Sequence, residues 1–457
     1  MVKNLILLLF VIIYTFFLWA RLNSNFIPLG DLAANDLQIQ LVAKGEIPNG
    51  AYSRFQINHP GPFSFYLQAL FEKYLSNWLG VAASHTWAVY AIQISLFLLL
   101  VSYIQSSYQI LGGGLLFLLC NFIGNNWIVE TWTPFLLVFA PSLGFLSLRN
   151  LDRWYSPIVF LVSQSIALQA NIIYVFSLVP LILFGAYNYR KSNLRINKLG
   201  ILFGLILFAL IWSPVVAEEF SKESGNLKKI LLFAAKSGTK KKVLPVLKFL
   251  NQPLFHSYFS LLAIASIFYR DLKEDLKLYI KFLWIFSIFM IISMFRMQGP
   301  IAEHLYWSIT SLLALFILYS SIPILNLTSK IWIKNTIGIA LLFSFLLQDR
   351  PLASIRDIAF DQNPIENLGL PQPIRFDWKA NASEFANGDK VLGILAYLSR
   401  KEYRICLGEP WEFLVPDSNK CSVSGFQSQI DFYRFNKIDS DSIFWNGLNL
   451  KIRLKTN

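Results

Sequence analysis

Charged side chains are scarce. Asp, Glu, Lys and Arg make up 15% of the 457 residues, against about 25% in soluble domains. That deficit excludes an ordinary soluble fold. It is matched by 55% hydrophobic residues and a mean hydropathy of +0.49. Acids are scarcer than bases, 27 against 40, leaving a net charge of +13. No basic stripe lies on a polar folded domain, so nucleic acid is not expected as a partner. The cations read instead as topology signals and as contacts to anionic membrane lipids.

Cysteine is rarer still, with three residues. No CxxC or zinc spacing is present, which excludes a structural metal of that kind. Cys120 lies in an apolar run and reads as core. Cys406 and Cys421 lie in a polar C-terminal part. In an oxidising compartment they would close a short loop, worth about 3 kcal/mol by the chain-entropy model. There is no Walker A motif and no GxGxxG. The Gly112-Gly113-Gly114 run sits inside an apolar run and reads as helix packing. The apolar runs themselves hold almost no Asp, Glu, Lys or Arg. Coupled transporters place such residues at mid-membrane, so this absence moves function to a membrane face.

What is there, above all, is a series of apolar runs. They cover 5–20, 86–104, 110–124, 131–148, 155–168, 172–187, 199–216, 254–269, 279–295, 305–325 and 335–347. That is about eleven spans. The first run has no small-x-small cleavage site, since Trp19-Ala20-Arg21 fits poorly. It is expected to be a retained helix rather than a signal peptide. Lys3 keeps its start cytoplasmic, and Arg149, Arg153, Arg190, Lys191, Arg270, Lys273, Lys330 and Lys334 mark later cytoplasmic turns. The stretch 28–69 and the C-terminal part then share the extracytoplasmic face. So does the loop 218–252, whose lysines run against the pattern but whose length exempts it. There, Lys228 to Lys248 interleave with Leu, Val and Phe, the pattern of helices lying in an interface beside anionic lipid.

Composition shifts near Asp349. Two parts are expected. Residues 1–348 form the membrane domain with a first external loop at about 21–85, and 349–457 form a linker and a small α/β domain. Within the latter, 349–377 reads as linker, 391–400 as helix, and 403–407, 429–435 and 448–454 as strands.

The chemistry concentrates in the first external loop. Asp31 and Asp36 lie in a helix-compatible run. Five residues apart, they point about 140° from each other, so they are not a pair sharing one proton. A partly desolvated carboxylate there suits a general base or an acceptor-orienting group. Asp31 after Gly30 is equally good N-cap chemistry. Next come Tyr52, Ser53, Arg54, Asn58, His59 and Pro60-Gly61-Pro62. The prolines break the chain and restart a helix, with Phe63, Phe65, Tyr66 and Leu70 as its apolar face. Arg54 suits bidentate phosphate recognition and His59 a donor role. Snorkelling to headgroups is the bland alternative for the arginine. Glu130, in a turn with Thr131-Trp132-Thr133-Pro134, is a further external acid. Arg296, Gln298, Glu303 and His304 make a second polar cluster around Gly299-Pro300. His85 and His256 read as interfacial.

The Tyr52-Ser53-Arg54-Phe55…His59-Pro60-Gly61-Pro62…Phe65-Tyr66 string, with acids some twenty residues before it, resembles a first-loop motif of GT-C membrane glycosyltransferases. The Glu130 turn is similar to a Trp-Asn-Pro turn of that group, with Thr133 in place of Asn. The resemblance covers the first loop well and the C-terminal part hardly at all. It implies a polytopic α-helical membrane protein of GT-C type. It implies an inverting transferase that takes a sugar from a polyprenyl-phosphate donor to a glycan, lipid or protein acceptor at the extracytoplasmic face, in a bacterial inner membrane. Asp31, Asp36 and Glu130 then take the catalytic positions. Tyr52, Arg54, His59, Arg296 and His304 contact substrate. Some such enzymes use a divalent metal and others do not, so no cofactor is fixed. The rival readings are a flippase for lipid-linked sugars and an O-antigen-type ligase or polymerase. A flippase needs a polar path that the apolar runs lack. A ligase usually carries its largest catalytic loop late in the chain.

Overall fold

The computed structural model describes residues 2–21, 31–48, 50–53, 57–123, 136–192, 196–221, 226–236, 243–296, 301, 306–328, 330–347, 372–378, 385–407, 428–433, 442–445 and 448–454. Helix dominates them. The helices are α1 (Val2–Arg21), α2 (Asp31–Ala43), α3 (Phe63–Leu79), α4 (Val81–Tyr103), α5 (Gln109–Ile123), α6 (Ala140–Arg149), α7 (Ser156–Ala170) and α8 (Val175–Ser192). There follow α9 (Lys198–Ser221), α10 (Asn226–Lys236), α11 (Val243–Leu250), α12 (Pro253–Ile267), α13 (Glu274–Arg296), α14 (Ser308–Thr328), α15 (Ile331–Leu342) and α16 (Phe385–Arg400). The chain divides into two units. One comprises Met1–Arg21, Val89–Val216 and Leu227–Pro351. The other comprises Leu22–Ala88, Ala217–Asn226 and Leu352–Asn457. The break near 350 is where composition shifts. The first loop, however, groups with the C-terminal part instead of with 1–348.

Among the described residues, four helical stretches are long and apolar enough to cross a membrane: Ala83–Tyr103, Ile172–Lys191, Lys198–Phe220 and Glu274–Arg296. Six shorter apolar helices accompany them, from Lys3–Phe16 to Ile331–Leu342. These fit an α-helical membrane protein. In place of the run expected at 131–148 the structure has the ten-residue α6, and 131–135 lie outside the described residues. The loop expected at 218–252 is also largely helical, because α9 runs on to Ser221 and α10 and α11 follow.

In the first unit, aromatic side chains tie helices together. Phe10 lies 4.8 Å from Phe117 and 6.2 Å from Phe97 between ring centroids. Phe145 sits 4.7 Å from both Phe184 and Tyr279, and 4.9 Å from Phe282. The glycine run packs helices, as its place in an apolar run predicts. A Cβ on Gly114 would stand 2.5 Å from the Gly338 carbonyl oxygen. One on Gly338 would meet Ile110 backbone at 2.6 Å. Any side chain at 338 therefore forces α5 and α15 apart.

Polar contacts join helix ends that the cation pattern assigns to one side. Lys3 donates to the Ser106 carbonyl, and Lys334 to the Tyr108 hydroxyl at 3.2 Å. Arg149 pairs with Asp275 at 2.7 Å. At ends assigned to the opposite side, Ser293 and Tyr306 hydroxyls lie 3.0 Å apart, and Phe249 packs on Phe255 and Tyr306.

The second unit holds two sheets. A short hairpin pairs β1 (Tyr52–Ser53) with β2 (Ile57–Asn58). The larger sheet is built from β3 (Ile374–Trp378), β4 (Ile405–Leu407), β5 (Ser428–Tyr433), β6 (Ser442–Trp445) and β7 (Leu448–Leu454), in the order β4-β3-β5-β7-β6. β3 is parallel to both neighbours, and β7 antiparallel to both of its own. The expected helix and three strands are present, β7 with the expected bounds and the others with shifted ends. β3 corrects the reading of 349–377 as linker throughout: Ile374 and Phe376 alternate inward and are buried. Cys406, in β4, is disulfide-bonded, while Cys421 lies outside the described residues. Cys120 is a buried free thiol.

Helix α3 starts after Pro60-Gly61-Pro62, as those residues predict. Its buried face is Ser64, Phe65, Gln68 and Ala69; of the residues expected on its apolar face, Phe65 is buried and Leu70 is exposed. Phe65 and Ala69 pack with Ile39 of α2 and with Ala51. Helix α16 buries Leu392, Ile394, Leu395, Ala396 and Leu398. It ends in a Schellman turn. Tyr403 N–H donates to Leu398 and Glu402 N–H to Ser399, both at 3.1 Å, with Glu402 at φ 62°. A non-glycine residue there costs about 1–2 kcal/mol. The turn fixes Arg400 as the last helical residue.

Candidate functional site

Residues 33–41 of α2 are buried on every side. Four of them, Asn35, Asp36, Gln38 and Gln40, are polar, so the helix needs partners rather than a greasy slot. Arg400 supplies the main one. Its Nε donates to Asp36 Oδ2 at 2.8 Å and Nη2 donates to Asp36 Oδ1. Nη1 and Nη2 also reach Glu72 of α3 at 2.9 and 3.3 Å. Gln40 Nε2 adds a 2.8 Å bond to Asp36 and donates to the Ala396 carbonyl at 3.2 Å.

His85, near the start of α4, closes the ring. Its Nε2 donates to Glu72 Oε2 at 2.7 Å, and its Nδ1 stands 3.7 Å from Asp36 Oδ1. The Asp36 and His85 side chains are 4% and 7% exposed, Glu72 and Arg400 19% and 25%. Two carboxylates thus share one guanidinium and one imidazole, carried on α2, α3, α4 and α16, and all four residues lie in the second unit. The bonds join residues 328 and 364 positions apart.

Burial alone would raise the Glu72 pKa. The hydrogen bonds from His85 and Arg400, with their charges, outweigh it and lower Glu72 from 4.5 to about 2. Burial would lower that of Arg400, but the Asp36 and Glu72 charges raise it. The sign of the pH effect follows. A depressed carboxylate pKa contributes stability that is complete above about pH 4.5 and fades as pH falls toward 2. A full shift of that size is worth roughly 3 kcal/mol, and solvent access to Glu72 reduces it to about 1–2 kcal/mol. Melting of the detergent-solubilised chain is therefore expected to weaken below pH 4.5, with a shallower slope in Glu72→Gln. Equal acid slopes in the two proteins would show that the pairing does not couple to folding.

The hairpin has its own clamp. Asn226 Nδ2 donates to the Asn58 and His59 carbonyls, both at 3.0 Å. Asn58 N–H donates back to Asn226 Oδ1 at 3.1 Å. One side-chain amide so replaces a missing strand neighbour. His59 N–H donates to Ala51 at 2.7 Å, and the His59 carbonyl leaves no room for a Cβ on Gly50.

The expected site residues separate as follows. Asp31 opens α2 and is exposed; Asp36 is buried in the ion network. His59 follows β2, and Tyr52 lies in β1. Arg296 is the exposed last residue of α13, in the other unit. Arg54, Glu130 and His304 lie outside the described residues. Glu72, Arg400 and Asn226 were not expected, and His85 was expected only as an interfacial residue. Arg400 carried one signal, its place at the end of an apolar helix, where any helix accepts a cation.

Among the described residues no group of three or more His, Cys, Asp or Glu is placed to hold a metal. Asp36 and Glu72 already share Arg400, so a divalent ion there would have to displace the guanidinium. No family model, curated protein or solved structure matches the chain.

Proposed function

We propose that the chain is a membrane glycosyltransferase that moves a sugar from a polyprenyl-phosphate donor to an acceptor hydroxyl at the extracytoplasmic face. One observation carries the reading. The helix that follows the first apolar segment presents one exposed acid, Asp31, and buries the other, Asp36, in a fixed ion network. Three donors already engage the two oxygens of Asp36. Asp36 is thereby a positioning residue that holds α2, and Asp31 is the base.

In that role Asp31 takes the acceptor proton as the acceptor oxygen bonds to the anomeric carbon. The bond from that carbon to the phosphate oxygen breaks on the opposite face, with inversion. The donor is already activated, so the departing lipid phosphate needs charge stabilisation more than a strong acid. His59 and, outside the described residues, Arg54 are the first-loop groups suited to it. The apolar helices, poor in internal charge, add support by disfavouring a coupled transporter.

Mass spectrometry of cell-surface glycans and lipids, with and without this chain, tests the proposal. A glycan or lipid that loses one sugar mass in the deletion strain is expected. Identical profiles in both strains would remove the reading.

A further inference from the structure

Residues 222–252, which connect α9 to α12, carry eight lysines and one carboxylate, Glu223. They stand between a helix long and apolar enough to cross a membrane and a shorter apolar one. For a span-connecting loop this charge is anomalous under the cation pattern, and the structure shows what surrounds it. In α11, Val246 and Phe249 are buried, and the Phe249 ring packs tilted against Phe255 at 4.7 Å and edge-on against Tyr306 at 5.6 Å. That anchoring turns Val243, Leu244 and Leu247 outward, where they are more than half exposed beside Lys248. In α10, Ile230 is buried, while Lys228, Lys229, Leu231 and Leu232 are exposed.

Five large aliphatic side chains displayed next to lysines are not a stable water-facing surface. Apolar contact and positive charge on one short helix are what an anionic bilayer surface selects. We infer that α10 and α11 dock on an anionic phospholipid leaflet, with their leucines in the headgroup boundary and their lysines on lipid phosphates. The inference rests on membrane embedding, not on the proposed transfer reaction.

The test uses the full chain in nanodiscs of phosphatidylcholine with phosphatidylglycerol. A fluorophore sensitive to its surroundings is attached at Leu231→Cys or Leu247→Cys; Cys120 is buried and Cys406 is disulfide-bonded. Nitroxide is carried on the headgroup of one lipid or the other. Both sites are expected to be quenched, more strongly by the labelled anionic lipid. The triple variant Lys228→Gln, Lys229→Gln, Lys248→Gln is expected to lower that preference by about tenfold. Unquenched, water-exposed probes would overturn the inference, as would a self-associated chain that shields them. Equal quenching by both lipids in the unsubstituted chain would overturn the electrostatic half. None of these readings involves sugar transfer, so a silent enzyme and a lost lipid contact are told apart.

Discussion

Arg400→Met is expected to lower the stability of the loop-and-sheet unit by about 3 kcal/mol, the low end for breaking a buried ion pair. The low end applies because the guanidinium retains some water contact. Methionine nearly matches the arginine stem in size, so the loss is one of charge and hydrogen bonds. Asp36 and Glu72 are then left facing each other and His85 with no guanidinium between them. For a unit of this size the change corresponds to a melting shift of about 6–12 °C. A triple variant, Asp36→Asn with Glu72→Gln and Arg400→Met, removes the stranded charges as well. It is expected to recover most of the loss, because neutral partners of similar shape avoid the desolvation penalty. If Arg400→Met melts like the parent, or if the triple variant is no better, the network does not hold the unit together.

That network also marks the limit of what the amino-acid order displays. Most apolar runs were legible because length and composition suffice to see them, and helices stand at most of the expected positions, the run at 131–148 excepted, where the described helix covers Ala140–Arg149 alone. Of the five strands of the C-terminal sheet, β4, β5 and β7 were legible from alternation; β6, four residues long, was not expected. β3 was not, since Pro371 and Pro373 stand just before it and five residues make a weak pattern. Their spacing turns Asp31 and Asp36 about 140° apart, but residues 33–41 are buried on every side, so Asp31 is exposed by its place at the start of α2. The burial of Asp36 was not legible. That depends on Arg400, which lies 364 residues beyond Asp36, and no local rule joins two such positions. Glu72 and His85 were hidden for a related reason. Glu72 looks like an ordinary acid in the middle of α3, and His85 like a polar residue near the start of α4, until the fold brings them together. Asn226 gave no signal at all, because an amide that stands in for a strand neighbour has no sequence pattern.

Asp31→Asn is expected to abolish transfer, by a factor of about 10² or more for a positioned base, while leaving melting within about 0.5 kcal/mol of the parent as at most exposed sites. The amide keeps the size of the side chain but cannot accept the proton of the acceptor hydroxyl. Asp36→Asn is the informative companion. It removes a charge that Arg400 needs, so its first effect is on melting, and any loss of transfer follows from a displaced α2. The two acids, five residues apart on one helix, are therefore separated by which measurement each one moves. The sugar-mass difference between cells with and without the chain serves as the activity readout, and membrane insertion is checked by the yield of extracted protein. Full activity in Asp31→Asn would strip Asp31 of the base role. Loss of activity accompanied by a fall in melting as large as that of Asp36→Asn would make Asp31 another anchor of the helix, and the base would have to be sought elsewhere in the first loop.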